Sequence, residues 1–365
     1  MKFVKTEDLK IGMRLARPIY SKSGVLLFDS NSNLTLQAIE SVKNFGLLGI
    51  YILEPAEPAL QMSEEDREFE RFQTMTVFAI QEEFDKILTT GKQQKMHVIA
   101  ESILKTFGRQ NDKVNFYQNL RSKDDYVHRH CLNVAILSAM ITRGLNMRRE
   151  EQHQVIYAAI IHDIGKMSLA GELVYGRELT VEQRMRIFSV LLDTGELVEN
   201  AFGSDGLIVK RICNQAVMRQ MDSMKPAEEQ HNIKMVRGAN ILLVANRYDE
   251  LTGMTLEGTA NSEVKALKEL QSNPALYEPE IVEVLINSVK ILSPGVSVEL
   301  NTGEKALVLA ENSDDIFRPT VLTFRNNQII DLSLRINEDF EIEDIMKTLD
   351  NRCIIDKEAL RKAGF

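Results

Sequence analysis

An imidazole and a carboxylate stand side by side at His162-Asp163, after the apolar run Val155 to Ile161 and before Gly165-Lys166. Near a helix end such a pair can ligate a divalent cation, and the carboxylate can bridge two ions. His130 lies about one helical hairpin upstream, in the stretch Tyr126 to Val134. Downstream, Val244 to Thr252 carries Asn246 and Asp249, which share a helical face because they are three residues apart. For Asp249 a structural role within its helix is the first expectation, with a contact to a metal ligand as the second. His128 is two residues from His130, roughly 200° around a helix, and is expected on the surface. His97, His153 and His231 lack ligand spacing and are read as surface too, and Cys213 beside Ile212 is read as a small buried hydrophobe. Lys210, Arg211, Arg219 and Lys225 could line an anion pocket, but a solvated helix face is the commoner arrangement.

The elements that must position these groups are mostly helical. With 365 residues the chain exceeds what one core usually organises. It has 44% hydrophobic, 27% charged and 6% aromatic residues, a globular composition. A strand-like, turn-punctuated stretch with one helical segment, Leu36 to Phe45, predicts a small α/β module over 1–57. Acidic residues and the apolar run Val77, Ile80, Phe84, Ile87, Leu88 predict a helical linker over 58–115, with an exposed stripe suited to a homodimer. Apolar residues at three- and four-residue spacing predict the main helical domain over 116–292. Short β segments follow Ser293-Pro294-Gly295, so 293–365 reads as a β extension with a helical tail from Asp344. The fold class is therefore mostly α, flanked by a small α/β module and a small β extension. A net charge of −9 excludes a nucleic-acid polymer or an anionic membrane as the main partner. Cys131, Cys213 and Cys353 form no CxxC pair, which fits a reducing interior, and no apolar run has spanning length, so a cytoplasmic location is expected.

A histidine, then His-Asp, then a late helix ending Tyr-Asp-x-Leu-Thr resembles the HD phosphohydrolase superfamily, and more narrowly the HD-GYP family of cyclic di-GMP hydrolases. Leu9-x-x-Gly12-Met13 is similar to a module found ahead of this domain, and Gly-Val-x-Val-x-Leu with Arg318-Pro319-Thr320-Val321 is similar to its C-terminal extension. The resemblance implies an HD-type helical domain, a cyclic dinucleotide ligand, metal ligation by His130, His162 and Asp163, and a catalytic part for Asp163 and for Lys166, which would neutralise the phosphate. Four departures stand against full activity. Val190 takes the place of a family histidine, Val217, Met218 and Arg219 stand where His-His-Glu is expected, nothing of the Gly-x-Gly-Tyr-Pro signature survives at Ser223 to Ala227, and Asn246 replaces an aspartate ligand. Three ligands with one negative charge are too few for a binuclear centre, so the expectation is one divalent ion, zinc, manganese or iron, not a pair. Two readings follow: a non-catalytic regulatory or binding module with a degenerate site, or a one-metal phosphodiesterase. An interaction protein working through its N-terminal module and linker helix is a third.

Overall fold

The computed structural model describes residues 2–45, 49–53, 62–108, 113–116, 118, 121, 125–169, 179–230, 234–255 and 260–346. These divide into two compact units, one up to Ala79 and one from Ile80 onward. In the first, β1 (Lys2–Lys5), β5 (Gly49–Leu53) and β2 (Arg14–Leu15) form an antiparallel sheet in the order β1-β5-β2, and β3 (Ile19–Tyr20) pairs with β4 (Leu26–Phe28). Helix α1 (Leu36–Asn44) begins where the Thr35 hydroxyl accepts the Ala38 N–H, an N-cap that satisfies a donor the helix cannot. Ala38, Ile39 and Val42 on its apolar face bury against Leu15, Leu34, Ile50 and Ile52. The helix α2 (Glu64–Thr90) starts in this unit and ends in the next. Of the run expected to form an exposed dimerising stripe, Val77, Ile80, Phe84 and Ile87 are buried, and Leu88 is exposed.

The second unit is built around α4 (Tyr126–Gly144), whose residues from Tyr126 to Thr142 are buried except Arg129. Around it pack α3 (Met96–Thr106), α5 (Arg149–Ile161), α9 (Arg237–Thr252) and α11 (Pro279–Ser288). The enclosure explains two readings. Periodicity correctly turns His128 away from His130, but the far side of α4 is not solvent: His128 is buried, with its ring 5.4 Å from that of Phe84. An all-round apolar helix carries a weak amphipathic signal because no face of it meets water. The remaining helices are α6 (Val181–Asp193), opened by a Thr180–Gln183 capping box, α7 (Gly195–Phe202), α8 (Gly206–Ser223) and α10 (Glu263–Ser272), capped by Ser262. Gly238 lets α9 approach its neighbours, since a Cβ there would lie 2.9 Å from both Ile212 Cδ1 on α8 and Val155 Cγ2 on α5.

A five-stranded antiparallel sheet closes the unit, in the order β10-β6-β7-β8-β9, from β6 (Ser297–Leu300), β7 (Lys305–Ala310), β8 (Thr320–Thr323), β9 (Ile329–Asp331) and β10 (Ile342–Ile345). The helical tail expected from Asp344 is corrected at its start: Asp344 lies in β10, opposite Glu299. Residues 347–365 lie outside the described ones. Among the described residues no helix is long and apolar enough to cross a membrane.

Candidate metal centre

Three helices deliver the site. His130 comes from the buried first half of α4, His162 caps the C-terminal end of α5, and Asn246, Asp249 and Glu250 lie on α9. Asp163 follows directly, and Lys166 sits on the 3-10 turn Ile164–Leu169. The ligand atoms of His130, His162 and Asp163 all lie within 4.8 Å of one another. His130 Nε2 is 3.3 Å from His162 Nε2 and 3.4 Å from Asp163 Oδ2, and His162 Nε2 is 3.7 Å from Asp163 Oδ1. The sequence placed these residues together, and the fold brings their ligand atoms together.

The protons of the two imidazoles are assigned by their outer partners. His130 Nδ1 lies 2.6 Å from Asp249 Oδ2, and a carboxylate only accepts, so Nδ1 carries the hydrogen. His162 Nδ1 donates to the Ala159 carbonyl at 2.8 Å. Burial lowers the His162 pKa and keeps its ring neutral at pH 7. In their neutral forms both rings turn an Nε2 lone pair to the centre. Asn246 Oδ1 faces it as well, at 2.9 Å from His130 Nε2 and 3.0 Å from His162 Nε2, while Asn246 Nδ2 donates to Glu250 Oε1 at 3.1 Å. Two imidazole nitrogens, an amide oxygen and a carboxylate converging on one point fit a single borderline divalent ion in chemistry and number.

Charge sets the limit. Lys166 Nζ lies 2.5 Å from Asp163 Oδ2, with Asp163 buried and the Lys166 side chain 11% exposed. Burial alone would raise the Asp163 pKa, but Lys166 beside it brings the carboxyl down to about 2. Burial opposes charge on Lys166 as well, and Asp163 and then Glu250 outweigh it and raise its pKa above the usual lysine value. The one carboxylate of the donor set is thus already neutralised from within the chain.

Asp249 does more than the sequence suggested. It is fully buried, with Oδ2 on His130 and Oδ1 accepting from Arg121 Nη2 at 2.6 Å, Gln118 Nε2 at 2.9 Å and Asn133 Nδ2 at 3.0 Å. Arg121 holds its carboxyl well below the ordinary range against the upward push of burial. This shell orients His130, as outer partners of metal-binding histidines do. Arg121 and Gln118 were missed. They precede α4 on irregular backbone, where no periodicity marks a side chain as inward-facing.

Other residues sort differently. Val217 is buried and Val190 half-buried, packed on Leu169 and Ile187, whereas Met218 is 48% exposed and so lines no dry interior. Lys210 pairs with Glu199 at 2.7 Å, and Arg219 and Lys225 with Asp222 at 3.8 and 3.0 Å, so these cations are answered by carboxylates and form no anion pocket. Arg211 is exposed. Cys213 is buried, as expected, and burial pushes its thiol pKa up to about 12. His97, although exposed, shares a hydrogen bond of 2.8 Å with the Tyr157 hydroxyl. His153 is not a surface residue: it is half-buried, with Nε2 2.9 Å from Glu101. His231 lies outside the described residues.

The family model described as HD domain matches residues 99–281, which include His130, His162, Asp163, Lys166 and Asn246. The chain is 20% identical over 208 residues to the cyclic di-GMP phosphodiesterase PA4108 of Pseudomonas aeruginosa, a match covering 56% of this chain and 49% of that protein. It therefore spans about half the length of that curated relative. Among solved structures, the HDG"Y"P protein Bd1817 from Bdellovibrio bacteriovorus aligns with 13% identity and a TM-score of 0.46, covering 78% of this chain and 97% of that one.

Proposed function

Since this chain belongs to the HD domain family, we propose that it is an HD-GYP-like cyclic-dinucleotide signalling protein whose metal centre has shrunk to at most one ion and which acts as a non-catalytic binding or regulatory module. The observation that carries the reading is the poverty of the donor set: beside two imidazoles stand the neutral Asn246 amide and one carboxylate, Asp163, which is already paired with Lys166. The Asp163 carboxylate is matched by the Lys166 ammonium and Asp249 by Arg121, and Glu250 behind the neutral Asn246 amide is a further nearby carboxylate. Two divalent ions would bring about four positive charges against little more than the one charge of Glu250, itself 3.5 Å from Arg247, and burying uncompensated charge is strongly unfavourable. The cyclic dinucleotide is taken from what the Pseudomonas relative is named for.

The second reading, a one-metal phosphodiesterase, is favoured by the convergence of His130, His162, Asp163 and Asn246. Those four residues would hold the ion, which when bound would supply Lewis-acid chemistry toward a phosphoester. In either reading Asp249 fixes the His130 tautomer, Asp163 with its pKa at about 2 stays ionised, and Lys166 holds the Asp163 oxygen it contacts. Metal content of protein purified without chelator, measured together with cyclic di-GMP binding and turnover, tests the choice. Binding without conversion to the linear dinucleotide, with one ion or fewer per chain, is the expected result. Two ions per chain with hydrolysis would defeat the proposal, and one ion with hydrolysis would select the second reading.

A further inference from the structure

The amide of Asn246 can be turned two ways, and its surroundings disagree about which is better. With Oδ1 toward the histidines, it lies 2.9 Å from His130 Nε2 and 3.0 Å from His162 Nε2, and when both rings carry their one hydrogen on Nδ1, toward Asp249 and Ala159, three acceptor atoms face one another. Turned over, the amide would donate to both imidazoles, but its oxygen would then face the carboxylate of Glu250, which now accepts from Nδ2 at 3.1 Å. A hydrogen bond to an ionised acceptor is roughly twice as strong as one between neutral groups, so Glu250 has the larger say. Glu250 is itself held one helical turn after Asn246 and lies 3.5 Å from Arg247, which is anchored at 2.6 Å to Glu269 on α10.

We propose that Glu250 is a positioning residue for the metal centre: by fixing the Asn246 amide with its oxygen inward, it makes a neutral side chain into a fourth ligand for a divalent ion. The inference rests on the one-ion reading of the site. It reaches further by assigning a task to a carboxylate that touches no ligand atom except through the amide. The three facing lone pairs supply the ligand chemistry, since a cation at their centre turns mutual repulsion into coordination.

Zinc alone is the probe, titrated into the metal-free full chain against a chromogenic chelator, with folding of each variant checked by its circular dichroism and melting temperature. Loss of an outer partner typically lowers metal affinity about 10- to 100-fold. Glu250→Gln, whose amide can accept or donate and so no longer chooses, is expected to weaken zinc about tenfold. Asn246→Asp removes the choice, because both its oxygens are acceptors, and is expected to bind zinc at least as tightly as the natural chain. In that background Glu250→Gln should cost nothing or improve binding, since it relieves repulsion between two carboxylates. This reversal of sign in a double-mutant cycle separates orientation from plain electrostatic attraction. An equal loss in both backgrounds would mean that Glu250 acts only by its charge, and the proposal falls. It falls also if Asn246→Ala binds zinc as well as the natural chain, or if the natural chain takes no zinc. That last result would leave the loss of hydrolysis standing, so the two ideas can fail separately.

Discussion

The ammonium of Lys166 and a metal ion compete for the same carboxylate. Lys166→Met should therefore strengthen zinc binding at least about tenfold while lowering the stability of the metal-free chain by ~3–5 kcal/mol, because it leaves Asp163 buried and unpaired. Chelator competition and denaturant unfolding measure the two effects, and weaker zinc binding would show that Lys166 does not hold Asp163 against the ion. Asp249→Asn leaves Arg121 without its ion-pair partner and lets His130 lose its fixed tautomer. A stability loss of ~3–5 kcal/mol is expected in urea unfolding, partly recovered by adding Arg121→Met. At this scale the grouping of His130, His162 and Asp163 was expected from the family resemblance, the His-Asp dipeptide alone being a weak signal. Arg121 was not. Its partner lies 128 positions away, and nothing local in the chain says that two opposite charges so far apart will meet in a dry interior.

Helices whose apolar residues recur at three and four on one face were readable, α1 and α3 among them. Less readable was what surrounds them, which is why His128 was placed on a surface that α4 does not have. Strand β10 failed for a different reason. Ile342 and Ile345 repeat at a helical interval, and the register against β6 shifts between Ile342 and Asp344, so the alternation that marks a strand is broken where it would be read. The close approach of α9 to α5 and α8 at Gly238 gives a test at this scale. Gly238→Ala normally favours a helix interior, but here the methyl would sit 2.9 Å from Ile212 Cδ1 and Val155 Cγ2. Overpacking should win, with a loss of ~1–3 kcal/mol in chemical denaturation and weaker zinc binding, because α9 carries Asn246 and Asp249. A more stable Gly238→Ala variant would show that the approach has slack.

Within the larger molecular unit the terminal sheet is tied to the helical body through α10. Lys268 Nζ donates to the Ile342 carbonyl at 2.7 Å, and Lys265 pairs with Asp344 at 2.8 Å. Burial raises the Asp344 pKa, but hydrogen bonds from Lys265 and Ser262 outweigh it and hold the carboxyl below its usual value. A depressed folded-state pKa contributes stability above the unfolded value and loses it as pH falls through the folded one. The melting temperature of Asp344→Asn should thus lie below that of the natural chain at neutral pH, and the two should converge in acid below the ordinary carboxylate range. Parallel curves down to the lowest pH would remove the tie from the stability of the unit. The terminal sheet could be anticipated from a shift in sequence pattern after Ser293-Pro294-Gly295, whereas the side chains that join sheet to helix could not, because lysines and aspartates look alike in sequence until they are paired. Lys166 bears on the molecule as a whole in a further way. Its positive charge arrives during synthesis, attached to the backbone, so no chelator can strip it and no shortage of trace elements can leave the pocket without a counterion. A pocket built in this manner can reach its folded, charge-balanced state where metal is scarce.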